Sequence, residues 1–393
     1  MVIPFSQAHG DTIIKPIVSS RAFYDNNPQL RTNPSTEVAA TVNTIQVDAA
    51  YRRPAYQLSL NPKVRLSRYT EETELNSEDY FVNLSAAKFG ERNQYTANFD
   101  YERESTITTE QTDSGIFNVN LPRTTFSFDT SWQLSISESL VFSVFGNALD
   151  VSFEKDPRST FVDYLQFGAG TFLSYQVTNR TSIISVFNAT EFKTPENGTK
   201  TRSYVFQFGF DHDFDESTSA SFRVGHNVSQ IDYKSSETTL ISLQPLRIAT
   251  RIVDASERSS GPVTNFALTK DFSRGDARFE WSRSFLPSSQ GARQETEDVR
   301  GFGRYRIGEH LDVEIRAEYR RRTQEGQFSI QRLGDLEYLN AAARLLYYFS
   351  PTLRAELGIR YRTQKPLSGG ERVESERLLI SLRYSPEAGR YHY

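Results

Sequence analysis

The run Leu311-Asp-Val-Glu-Ile-Arg-Ala-Glu-Tyr319 places an apolar residue at every odd position and a charged one at every even position. Leu353-Arg-Ala-Glu-Leu-Gly-Ile-Arg-Tyr361 repeats the pattern with one glycine among the charges. Successive side chains of a strand point to opposite faces, so each run has an apolar face and a charged face. Between the two runs, residues 334–348 alternate more loosely, and Phe349-Ser-Pro-Thr352 makes a tight joint. Two architectures write this text. A soluble sandwich turns its polar face to water and packs its apolar face on a second sheet. A single sheet closed on itself in a membrane turns its apolar face to lipid.

Composition narrows the choice. The 393 residues include 28 Phe and 20 Tyr, a single Met and no Cys. The absence of Cys excludes a disulfide framework and thiolate metal sites. A hydrophobic fraction of 37% and a mean hydropathy of -0.55 suit a barrel, in which only alternate residues meet lipid. No apolar run of ~18 residues occurs, so no helix is expected to span a bilayer. The net charge of -4 argues against nucleic acid as a partner. Residues 1–196 carry 16 Lys+Arg against 23 Asp+Glu, which leaves the later strands relatively basic.

Short polar turns recur along the chain, usually after an aromatic residue. They are Arg52-Arg-Pro54, Phe89-Gly-Glu-Arg-Asn93, Ser135-Ile-Ser-Glu-Ser139, Tyr175-Gln-Val-Thr-Asn179, Phe214-Asp-Glu-Ser-Thr218, Phe272-Ser-Arg-Gly275, Tyr305-Arg-Ile-Gly-Glu309 and Phe349-Ser-Pro-Thr352. Longer polar connections fall between them, at 26–35, 71–79, 106–123, 154–160, 193–202, 234–261, 286–295, 322–334 and 365–374. Eight short turns separate nine hairpins and hence eighteen strands. The expected fold is all-β: one closed antiparallel transmembrane barrel over 9–393, with short periplasmic turns, longer extracellular loops and aromatic girdles, in the outer membrane of a Gram-negative bacterium. Val2-Ile-Pro-Phe5 and Ser6-Gln-Ala8 fit the end of a leader, so 1–8 is read as its remnant.

Tyr95, Ala97, Phe99 and Tyr101 share one face, as do Phe126, Phe128 and Trp132, and Tyr204, Phe206, Phe208 and Phe210. Such faces make good lipid contacts. A β-propeller also repeats at ~40 residues, but with four short strands per blade rather than two long ones.

Catalytic motifs are missing: there is no G-x-S-x-G, P-loop or H-E-x-x-H. No enzymatic role, cofactor or metal is expected. The five histidines are scattered. Asp211-His-Asp-Phe-Asp215 opens like a calcium loop, but Glu216 stands at the glycine position and Phe222 at the final ligand. Gly168-Ala-Gly170 reads as a close-packing position or bulge.

Function is expected in the lumen, because eighteen strands leave an aqueous channel. If Leu311, Val313 and Ile315 face lipid, then Asp312, Glu314, Arg316, Glu318 and Arg320 face the channel, and Arg300, Arg304, Arg344, Arg354, Arg360 and Arg362 face it by the same parity. One reading is a wall of ion pairs that stiffens the barrel. The other is a basic ladder guiding an acidic solute or polymer. The apolar residues within 234–261 imply that this segment either extends a hairpin beyond the membrane or folds over the channel mouth as a constriction, the second being the expectation adopted.

Arg21-Ala-Phe-Tyr-Asp-Asn-Asn27 resembles the opening strand of the beta-barrel porin 2 family. Thr112-Asp-Ser-Gly115 with Arg123 and the 126–134 strand, Tyr164-Leu-Gln-Phe-Gly168 and Tyr204-Val-Phe-Gln-Phe-Gly209 are similar too. The resemblance implies an exit conduit for a secreted, acidic exopolysaccharide, similar in role to alginate-export barrels. Its partners would be outer-membrane lipids, the polysaccharide and a periplasmic polysaccharide-export protein. The alternatives are a general or oligosaccharide-selective diffusion porin, or an outer-membrane enzyme. Residues 378–384 read as the last strand and 385–393 as a tail, a departure from the usual aromatic ending.

Overall fold

The computed structural model describes residues 11–32, 37–107, 120–157, 159, 161–196, 198–243, 246–287, 293–325, 335–367, 369–386 and 389–392, the side chains of 235–252, 286–287, 293, 324–325 and 389–392 excepted. In chain order the strands are β1 (Asp11–Asp25), β2 (Val38–Arg53), β3 (Tyr56–Tyr69), β4 (Ser77–Phe89), β5 (Asn93–Ser105) and β6 (Pro122–Ser135). They continue as β7 (Leu140–Phe153), β8 (Tyr164–Thr178), β9 (Thr181–Thr194), β10 (Thr199–Asp215), β11 (Thr218–Leu243) and β12 (Leu246–Phe272). The last are β13 (Gly275–Pro287), β14 (Arg293–Arg306), β15 (Leu311–Glu325), β16 (Leu336–Tyr348), β17 (Leu353–Pro366), β18 (Val373–Tyr384) and β19 (Gly389–His392).

Each strand pairs antiparallel with its successor through β18. The sheet closes where β1 meets β18, Val18 facing Tyr384 and Asp25 facing Arg377. Closure removes the edges that lipid could not satisfy. The tail differs from expectation. β1 begins well before Val18, and β19 covers the overhang, with Asp11 facing His392 and Ile14 facing Gly389. Since β19 continues the line of β18, the barrel has eighteen staves.

All eight expected short turns lie between consecutive strands at one rim. Phe214, Phe272, Tyr305 and Phe349 stand exposed beside them as an aromatic belt. Above the belt, Ile315 (58% exposed), Ile359 (60%), Leu378 and Ile380 point outward, as do Phe99, Phe126, Phe128, Tyr204, Phe206, Phe208 and Phe210. The parity read from the sequence is therefore the parity of the barrel: apolar side chains meet lipid and their neighbours meet the lumen. On the inner face of β10, Gly209 allows a close backbone approach, because a Cβ there would stand 1.9 Å from the Phe222 carbonyl oxygen.

The segment 234–261 takes the first of its two expected forms. Its backbone is a hairpin ladder that runs without a loop from Thr218 facing Lys270 to Leu243 facing Leu246. β12 meets β13 only from Thr264 onward and β10 meets β11 only as far as Asp232, so beyond those points the hairpin pairs with itself. The connection expected at 193–202 is also mostly strand.

The loop after β1 turns into the barrel. Asn27, Gln29 and Leu30 are buried, and Leu30 packs with Tyr338 and Val373 from the inner faces of β16 and β18. Leu30 adopts φ +51°, a left-handed conformation that costs energy in a residue with a branched side chain. Its apolar contacts and the hydrogen bonds of Asn27 to Arg31 and Glu374 offset that cost.

Candidate functional site: the lumenal wall

The hydrogen-bond register sorts the inner side chains of β13–β18 into rows. One row runs Asp25, Arg377, Arg360, Ala342, Arg316, Phe302, Arg278. Four of its seven members are arginine, and the one acid stands at its end. The row on its outer side runs Ser375, Arg362, Asn340, Glu318, Arg300, Glu280. The row on its inner side holds Gly358, Arg344, Glu314, Arg304 and Asp276. Acids therefore sit mainly in the flanking rows, where long arginine side chains reach across to them.

All eight sequence-expected arginines occupy this lumenal parity. Six also have a carboxylate partner. Arg300 contacts Asp298 at 2.6 Å and Glu318 at 3.7 Å, and Arg304 contacts Asp276 at 2.8 Å. Arg316 contacts Glu314 at 2.7 Å, while Arg320 contacts Asp298 at 2.9 Å and Glu318 at 2.7 Å. Arg344 lies 3.5 Å from Glu356. Arg362, only 1% exposed, contacts Asp25 at 2.8 Å. Arg360 donates instead to Asn340 Oδ1 at 2.7 Å, and Arg354 lies over the Tyr348 ring, 5.9 Å from its centroid. Among the described residues neither Arg360 nor Arg354 has a carboxylate within ion-pair distance. The wall thus combines both sequence readings: a braced lattice with an arginine row running through it.

Sequence reasoning missed several of the parts. Arg278 was legible, since Asp276-Ala-Arg-Phe-Glu280 alternates as clearly as the runs that were used. Phe302 was not, because an aromatic residue at lumenal parity contradicts the pattern that defines the face. Arg316 stands over its ring at 5.2 Å. Asp25 appeared only within a family-like motif. It accepts from Arg377 Nε at 2.7 Å and from Ser375 at 2.8 Å as well as from Arg362. On the opposite flank, Arg65 contacts Asp79 at 2.8 Å and Glu104 at 3.1 Å, and Lys63 lies 3.7 Å from the Phe81 centroid. Of the aspartates in 211–215, Asp215 caps a turn: it accepts from the Ser217 amide and hydroxyl, both at 2.7 Å. Among the described residues no cluster of metal-ligating side chains occurs.

A closed eighteen-stranded antiparallel barrel with a lipid-facing apolar band, an aromatic belt and a charged interior is the architecture of an outer-membrane β-barrel of Gram-negative bacteria. No family model matches the sequence, and no curated protein matches it in sequence either. Solved structures are similar in fold. The open form of the ferric-catecholate import receptor Fiu of E. coli K12 aligns with a TM-score of 0.50 at 9% identity over 98% of this chain and 82% of that one. OpdQ of Pseudomonas aeruginosa aligns with a TM-score of 0.48 at 9% identity over 95% of this chain and 97% of that one. OpdK of the same organism, solved with vanillate, aligns with a TM-score of 0.45 at 10% identity over 95% and 99%. These likenesses concern the fold.

Proposed function

We propose that the protein is a passive diffusion porin for small hydrophilic solutes, with a lumen that favours anions. The observation that carries this reading is the row of Arg377, Arg360, Arg316 and Arg278, whose register keeps one sign of charge along a single contour of the wall. Ion pairs with the flanking rows cancel part of the field, and salt screens exposed charges over ~8–10 Å. Where low-dielectric walls draw together, the remaining potential concentrates and raises the local anion concentration. The chain performs no chemical step in this reading.

An exit conduit for an acidic exopolysaccharide, the function implied by the family resemblance, has less in its favour. A polymer must thread one unbroken path, whereas the loop after β1 is folded into the outer end of the lumen and held there by the Asn27 side-chain amide, which donates to the Glu374 carbonyl, and by Leu30 packed on Tyr338 and Val373. A small solute needs only to pass beside it.

The test is reconstitution in a planar bilayer under a potassium chloride gradient. The wild-type channel is expected to reverse on the anion side, and joint replacement of Arg278, Arg316 and Arg360 by Gln is expected to move the reversal potential toward cations. A barrel that inserts without conducting would overturn the porin reading. A reversal potential that stays in place would overturn the anion preference and leave these arginines as wall braces.

A further inference from the structure

Resting on the porin reading, we propose that the lumenal recess of about 470 Å³ beside Phe302 is a binding station for hydroxylated monocarboxylates of the sugar-acid type. The volume lies within the ~300–1,000 Å³ usual for small-ligand sites.

Phe302 is the anomaly that directs attention here. It faces Arg278 on one neighbouring strand and Arg316 on the other, an apolar ring in a water-facing row of cations. Arg316 covers it from one side, 5.2 Å from the centroid. Because it is half-exposed, the ring leaves apolar surface for a ligand with a flat C–H face.

The next member of the row supplies the space. Ala342 separates Arg316 from Arg360, and its methyl leaves a gap that a longer side chain would fill. Arg360 borders the gap and spends one donor on Asn340. A guanidinium carries five donors in a planar fork, so several remain to take a carboxylate.

The acids in the lining then decide the ligand class. Glu280 is held by Arg278 at 2.9 Å and Glu318 by Arg320 at 2.7 Å. A carboxylate in an ion pair with a guanidinium accepts hydrogen bonds and has none to donate. A bare aromatic acid or an inorganic anion would face them with no donor to offer. A sugar acid presents hydroxyl donors to the glutamates, a carboxylate to Arg360 and a ring face to Phe302, and so satisfies each type of group in the recess.

The experiment uses the full-length protein and sodium galacturonate, with glucose and benzoate as comparison probes. Galacturonate is expected to interrupt the ion current at concentrations about tenfold below either comparison, a difference of ~1.4 kcal/mol. Calorimetry on the detergent-solubilised barrel should detect its binding independently of conductance. Phe302→Ala removes the stacking face and Ala342→Leu fills the gap. In each, the block, expressed as a fraction of that variant's own open current, should fall about tenfold. Heat-modifiable migration on a denaturing gel confirms that the variants fold. Benzoate blocking as well as or better than galacturonate would overturn the sugar-acid assignment, and so would a block indifferent to both substitutions. Calorimetric binding in a barrel that does not conduct would sustain the station while overturning the porin reading.

Discussion

Arg362 Nη2 donates to Asp25 Oδ2 at 2.8 Å and thereby joins two residues 337 positions apart. Both are buried, Asp25 completely. Asp25 also accepts from Arg377, from Ser375 and from the amide of Asn27 at 3.0 Å. One carboxylate therefore locks the seam between β1 and β18 at its outer end and starts the inward turn of the following loop. Arg377 in turn lies 4.1 Å from the centroid of Phe23, which packs with Ala40 and Leu379 beside the seam.

Asp25→Ala is expected to cost ~3–5 kcal/mol, the range for breaking a buried ion pair by removing one partner, because it strands the Arg362 guanidinium without its counter-charge. The measurement is the temperature at which the folded, fast-migrating gel band converts to the unfolded one. Joint replacement of Asp25 by Leu and Arg362 by Met should lower that temperature less than the single change. A single variant as heat-stable as the wild type would mean that the seam is held elsewhere.

Leu30→Ala should release the inward loop, since the apolar contact with Tyr338 and Val373 is what offsets its left-handed backbone. Truncating a packed leucine costs ~2–5 kcal/mol where the site cannot collapse. Released, the loop should become a substrate for protease added to intact cells, and single-channel conductance should rise. A variant with unchanged conductance would show that this loop does not narrow the path.

The assignment of faces is tested by moving a charge across the wall. Ile315→Arg places a guanidinium in lipid at ~2–4 kcal/mol near the bilayer midplane, whereas Ala342→Arg, on the inner face of the adjoining strand opposite Arg316, places one in water. Refolding yield into lipid vesicles from urea should fall for the first and hold for the second. Equal yields would contradict the assigned parity.

Asp215 gives a pH dependence at the periplasmic turn. The Ser217 hydroxyl, its amide and the Thr218 hydroxyl hold the carboxyl well below the usual aspartate range. A depressed folded value stabilises the turn above the unfolded pKa of ~3.9, and that contribution is lost as pH falls from there through the folded value. Amide exchange protection at Ser217 should hold at neutral pH and decline in acid. In Asp215→Ala it should be low throughout, and a protection that ignored both pH and the substitution would sink the capping role.

Strand number, turn positions and the face of nearly every side chain were legible in the sequence. The reason is that a strand has a period of two and lipid accepts only one kind of face, so parity alone sorts Ile315 outward and Arg316 inward. The eight lumenal arginines were found this way. What parity cannot encode is which inner residue meets which. That depends on register, where a slip of one residue would exchange every face, and on closure, which brings the first strand to the last. Tyr24-Asp-Asn and the later arginine runs carry no local sign that Asp25 will neutralise Arg362. Loop direction escaped for the same reason. Residues 234–261 held the more conspicuous apolar set and proved to be a hairpin, while the few apolar atoms of Leu30 turned inward. Local periodicity, which each strand states alone, is enough to specify the barrel and the polarity of its two faces. The tertiary structure alone decided the arginine row, the recess beside Phe302 and the latched loop, because each is made by contacts between strands that only register and closure bring side by side.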